Sequence, residues 1–367
     1  MTRFLKTVVL VVIILTILAG CANSKNSDLQ NGNNTGDKTY TDESESSTND
    51  AIESGVSNNP IGKETLQYPS QNDIFTYDVY ETYVEITGSV KEDLTGELII
   101  PETLDDLPVR SISSKAFGGP GEAFTTPGYS ISSLVLPDNL YQISNNAFYK
   151  CKNINSITFG SNILNIGSFA FSYVNITSLK IPDTVVEIGS HAFSECKNLK
   201  SVVLGKSMTS VSEGMFEACT NLSDIEWGEN VNTIEENAFS YTGFVTMNLP
   251  DTIISVGNNA FSRMDNLEEF VFSDSVTEIG IFVLEHCEKL GKVVIGKSIK
   301  SIPEYAFNDC PEIKELFIPA NVLEIDGNIF GEGGFANYAR PTIYGEKGSR
   351  AASFASSKGL EFKLIDN

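Results

Sequence analysis

Gly189-Ser190-His191-Ala192-Phe193-Ser194-Glu195-Cys196 gathers hydroxyls, an imidazole, a carboxylate and a thiol within eight residues. Ser or Cys beside a His base, with a carboxylate to orient that base, is material for nucleophilic catalysis. Cys and His together are also zinc ligands. The chain has only one other histidine, His286, which sits directly before Cys287. Neither histidine recurs at its register. The slot of His191, two residues before a recurring Phe, holds Asn146, Phe169, Gly214, Asn237, Asn259 and Tyr305 elsewhere, so the expectation is two exposed loop histidines with no catalytic or metal role.

The cysteines recur more regularly. Cys151, Cys196, Cys219, Cys287 and Cys310 share one register just after that Phe. Zinc needs ligands a few residues apart or on converging loops, and these lie at least a full repeat apart. Equivalent thiols in stacked repeats point the same way, which suits a ladder of small buried side chains. Disulfides of Cys196 with Cys219 and of Cys287 with Cys310 stay open for an exported chain. No G-x-S-x-G, phosphate-binding glycine loop, H-E-x-x-H or calcium loop is present. Glu268 and Glu269 are adjacent on a strand and point to opposite faces, and Trp227 falls on an inward strand position. No cofactor is expected.

The elements that would position these residues come from a repeat. Phe117, Phe148, Phe171, Phe193, Phe216, Phe239, Phe261, Leu284, Phe307 and Phe330 are equivalent, at spacings of 31 and then 22 or 23 residues. Each unit opens on a short strand such as Leu179-Lys180-Ile181, apolar at period two. Pro or Gly ends it, as at Pro137, Gly160, Pro182 and Gly205. Two apolar residues such as Val185 and Ile188 follow, and then the Ala-Phe pair on an expected helical or 3-10 turn. A lone unit buries too little to offset its ordering, so the units must stack. The fold class read from this is an α/β repeat solenoid, with one strand and one short helical turn per unit.

Outside the repeats, Arg3, Lys6 and the apolar run Thr7 to Leu18 read as a signal segment too short to span a membrane. It ends in Leu18-Ala19-Gly20-Cys21, which resembles the lipobox of bacterial lipoproteins. That resemblance implies acylation of Cys21 and export. The expected organisation is 1–21 signal segment, 22–65 disordered tether rich in Asn, Ser, Thr and Asp, 66–97 N-terminal cap hairpin, 98–345 solenoid and 346–367 C-terminal cap. The cap hairpin pairs Phe75 to Val79 with Tyr83 to Thr87. The closing cap carries a helix near Ser349 to Ser356 and a strand whose Leu360, Phe362 and Leu364 face the core.

Units such as "LKIPDTVVEIGSHAFSEC" resemble the BspA-type family of bacterial leucine-rich repeats, over about Leu98 to Gly345. The resemblance implies a curved, right-handed solenoid on a surface or secreted protein that binds other proteins or host surfaces. Met215, Val283-Leu284 and Val174 depart from the pattern but stay apolar. A formal charge of −23 argues against nucleic acid as a partner and leaves the lipid anchor as the one membrane contact. The expected function is therefore a non-catalytic cell-surface binding or adhesion module for a protein or matrix ligand. The competing reading is a right-handed β-helix enzyme acting on polysaccharides, which calls for about three strands per coil and converging carboxylates.

One outward file of strand residues reads Val135, Thr158, Lys180, Val203, Glu226, Asn248, Val271, Val294 and Phe317. Val271, Val294 and Phe317 are apolar and consecutive, and Glu269, Lys292 and Glu315 flank them. This is the candidate binding strip.

Overall fold

The computed structural model describes residues 64–118, 129–331 and 340–365. The signal segment, Cys21 and nearly all of the tether lie outside the described residues.

The chain enters as an antiparallel meander: Tyr68–Gln71 pairs with Phe75–Val79, which pairs with Val84–Ser89. Phe75, Tyr77 and Val79 alternate inward, as do Val84 and Ile86. Val84–Ser89 then lies parallel to Leu107–Ile112 and so hands the cap's sheet on to the solenoid.

Each turn of the solenoid contributes to two parallel sheets. The first face holds strands such as Ser178–Lys180, Ser201–Val203 and Asp224–Glu226, paired residue for residue. The second holds two-residue strands such as Thr233–Ile234 and Ser255–Val256. The sequence showed only the first strand, because a two-residue strand has no room for an alternating pattern. Ile234 and its equivalents are nonetheless its inward anchors. Glycines mark the corners for a steric reason. A Cβ on Gly160 would collide with the Pro137 carbonyl of the turn before, and one on Gly296 with that of Ser273.

The Phe segment is not a helix, which corrects the α/β expectation. Phe169, Phe171 and Tyr173 donate their N–H groups to Ser190, Ala192 and Ser194 of the next turn, at 2.8–3.0 Å. The alternate residues Ala170, Ser172 and Val174 donate back within the turn, to Gly167, Phe169 and Phe171. Phe169 and Tyr173 take left-handed φ of 56° and 68° to point every second donor outward along the stack. An α-helix would direct all these donors to its own i−4 carbonyls. Among the described residues the one helix is Arg350–Lys358 in the closing cap, with Ser349 as N-cap and Gly359 as left-handed C-cap.

The core is a column of rings. Phe117, Phe148, Phe171 and Phe193 stack face to face at 5.2–5.4 Å between neighbours, and the stack continues through Phe216, Phe239 and Phe261. Leu284 interrupts it while staying buried. The helix closes the end by burying Ala351, Phe354 and Ala355. Leu360 is buried there, but Leu364 is 58% exposed and does not face the core as the alternation had implied.

The first-face sheet is split twice. Ser156–Thr158 does not pair with Ser178–Lys180, nor Asp224–Glu226 with Thr246–Asn248, and at both steps the strands have drawn apart. These are the 22-residue units. Four positions separate Val174 from Ser178 and Thr242 from Thr246, against five from Cys196 to Ser201. The shortened connection bonds to the previous turn early, Asn175 N–H to the Ile154 carbonyl and Gly243 N–H to that of Leu222. The following strand is thereby held out of register reach. Large rings wedge into the gaps: Phe159 edge-on to Phe171 at 5.8 Å, and Trp227 edge-on to Phe239 at 5.7 Å.

Candidate ligand-binding surface

The opening cluster disperses in three dimensions. His191 stacks on Phe169 at 4.9 Å, with its Nε2 3.1 Å from Glu217 Oε2 of the next turn. Glu195 pairs with Lys197, while the Cys196 thiol points into the core and donates to the Phe171 carbonyl. Ser190 Oγ donates to Glu213 at 3.5 Å and Ser194 Oγ to the His191 carbonyl, so no hydroxyl or thiol of the cluster bonds to the imidazole. His286 lies 3.5 Å from Asp309 and 3.8 Å from Glu285. Both histidines are half-buried rather than exposed, because the left-handed Phe-turn positions lay their rings against neighbouring turns. Among the described residues no group of three or more His, Cys, Asp and Glu side chains converges to hold a metal ion.

Cys151, Cys196, Cys219, Cys287 and Cys310 are buried free thiols, each donating to the carbonyl of the recurring Phe or Leu in the preceding turn, such as Phe193 for Cys219 at 3.2 Å. Burial pushes the Cys151 thiol up to about 12. Cys219 is held well above the usual thiol range by burial and then by the Cys196 thiol beside it, and Cys310 likewise by burial and Cys287. Thiols in this state are poor nucleophiles and poor metal ligands.

Val271, Val294 and Phe317 stand side by side, on the consecutive parallel strands Glu269–Val271, Lys292–Val294 and Glu315–Phe317. All three are half-buried. Glu269, Lys292 and Glu315 form the neighbouring file. Lys292 Nζ sits 2.8 Å from Glu269 Oε1 and also lies over the Phe317 ring at 5.7 Å. The strip runs one residue further than its 23-residue period. Thr342–Gly345 joins the sheet beside Glu315–Phe317, and Tyr344 stacks on Phe317 at 4.3 Å. The Tyr344 hydroxyl donates to Glu315 at 3.2 Å, and its acidity is lowered first by burial and then by that carboxylate. The sequence hid this partner because the interval from Phe317 to Tyr344 is not a repeat length. Phe362–Leu364 continues the same sheet, so the closing strands extend the surface sideways. Beside the strip lies an open depression of about 770 Å³ around Gly291, whose missing side chain leaves Lys289, Lys292, Lys314, Glu312 and Glu315 around its floor.

A leucine-rich cell surface protein of Faecalibacterium prausnitzii is 21% identical, with 82% of this chain and 95% of that chain covered and a TM-score of 0.48. A leucine-rich repeat protein of Bacteroides ovatus is 19% identical, with 82% and 100% covered and a TM-score of 0.37. The pneumococcal vaccine antigen PcpA is 13% identical, with 83% and 100% covered and a TM-score of 0.43. No curated protein matches the chain. The family model for a BspA type leucine rich repeat region matches residues 120–245 and 232–341 in six copies. With its Ala-Phe turns, Cys ladder and Pro or Gly corners in register with that repeat, the chain belongs to the BspA-type leucine-rich-repeat family.

Proposed function

We propose that this chain is a non-catalytic binding module, displayed on the cell surface by a lipid on Cys21, that docks a protein or matrix ligand on the C-terminal half of its first-face sheet. The observation that carries the reading is the side-by-side register of Val271, Val294 and Phe317, continued by Tyr344. An apolar strip with a charged flank has the make-up of an interface centre and rim. The lipobox-like Leu18-Ala19-Gly20-Cys21 and the cell-surface description of the similar Faecalibacterium protein support display outside the cell. The β-helix enzyme is the weaker reading. Each coil has two strands and a Phe turn, and the outward file Thr158, Lys180, Val203, Glu226 and Asn248 carries no stack of carboxylates.

The test is a Val294→Asp, Phe317→Asp double variant in a pull-down against host-matrix and cell-wall material. The expected outcome is loss of capture at an unchanged thermal midpoint. Undiminished capture would remove the strip as the docking site.

A further inference from the structure

The two splits in the first-face sheet expose core surface. At the inward register, Leu179, Val202, Met247, Phe270, Val293 and Leu316 are at most 4% exposed. Ile157 and Ile225, which flank the splits, are only partly buried at that same register, and so are Phe159 and Trp227 two residues on, where Ile181, Leu204, Leu249, Phe272 and Ile295 are at most 5% exposed. Each split also frees strand edges. Asp224–Glu226 pairs through one edge with Ser201–Val203 and through the other with no strand, and Thr246–Asn248 pairs with Glu269–Val271 on its far edge alone. A free strand edge is a template for an added strand.

The two slots differ in charge. The Trp227 slot has Asp224 and Glu226 on its rim, both exposed, and neither pairs with a cation among the described residues. The Phe159 slot has the uncharged Ser156 and Thr158 in the corresponding places.

We infer that the Trp227 slot binds an extended segment of a partner protein by strand addition, with an apolar side chain on Ile225 and Trp227 and a Lys or Arg on either side of it facing Asp224 and Glu226. The register follows from strand geometry. Asp224 and Glu226 point outward and Ile225 inward, so an added strand meets them in the order cation, apolar, cation. Main-chain bonds from the free edge supply affinity, and the slot and its rim supply selectivity. A protein segment fits better than a sugar, because the floor is apolar and the free polar groups are main-chain groups at strand spacing.

This rests on the binding-module reading but uses a surface separate from the strip, so each fails alone. The chain has a single tryptophan, so its emission reports this slot and no other. The full chain is titrated to millimolar concentration with three probes: an acetylated, amidated Lys-Val-Lys-Val-Lys peptide, its Glu-Val-Glu-Val-Glu counterpart, and maltohexaose. A saturable emission change with the lysine peptide alone is expected. An Asp224→Asn, Glu226→Gln variant keeps the reporter and should bind about tenfold more weakly. No saturable change with the lysine peptide, an equal response to the glutamate peptide, or unchanged affinity in the variant overturns the inference. A response to maltohexaose without one to the lysine peptide also overturns it and makes the slot a sugar site.

Discussion

Phe193 and Cys151 show what stacking demands of single side chains. Phe193 is fully buried between Phe171 at 5.4 Å and Phe216 at 6.3 Å. Phe193→Ala should cost about 3–5 kcal/mol in urea unfolding, the usual range for a buried Phe. Hydrogen exchange should place the lost protection in the turns beside it, since coupling in a solenoid runs between neighbours. Uniform loss along the chain would contradict that. The Cys151 thiol, raised from 9.0 to about 12 by burial, gives a pH signature. A folded pKa above the unfolded one stabilises fully below about pH 9, and that contribution is lost as the pH climbs toward 12. Val174 fills the same register in the next turn. Cys151→Val should therefore stay within about 1.5 kcal/mol of the parent at pH 7. In parallel unfolding series it should lose less stability than the parent between pH 9 and 12, by up to roughly 4 kcal/mol. Parallel curves would show that Cys151 is not buried as a thiol.

At the scale of the element, one residue decides whether two strands meet. The short connections after Val174 and Thr242 coincide with the two splits, and the turns that keep Cys or Met at that register keep the longer link. Inserting one residue between Val174 and Asn175 should restore pairing of Ser156–Thr158 with Ser178–Lys180. The amides of those strands should then exchange more slowly, while the second face, where Asn165 already pairs with Glu187, is unaltered. Unchanged exchange would separate the split from the loop length. The second face stops between Glu187–Ile188 and Ser210–Val211 and again between Glu278–Ile279 and Ser301–Ile302, the second time for a different reason. Pro303 stands where Asp326 and Gly280 donate to the previous turn, and proline has no N–H to give.

For the whole array, the breaks are staggered. Where the first face splits, the second pairs Asn165 with Glu187 and Thr233 with Ser255. Where the second face stops, the first pairs Ser178 with Ser201 and Glu269 with Lys292. At each of these four steps one sheet and the Phe-turn bonds remain, so the stack stays continuous through every interruption. A Cys21→Ala variant should lose palmitate labelling and leave the membrane fraction. Retention of both would overturn the lipoprotein reading.

The repeat, its inward residues and its stacking are all legible in the order of side chains alone. Each of these depends on side-chain type at a fixed interval, as the Phe column and the Cys register show. Even the 22-residue units were visible as numbers. Their consequence was not, because a one-residue deletion acts through the backbone of the next turn, which only the stacked structure brings alongside. The same holds for the Phe turn. Ala-Phe after two spaced apolar residues looks helical locally, but the donors at Phe169, Phe171 and Tyr173 go to another turn. Tyr344 reaches Phe317 through a cap strand outside the period, and Trp227 is accessible only because its neighbouring strand has moved away. Local periodicity fixes which face a residue takes; the packing of turn upon turn decides what lies beside it.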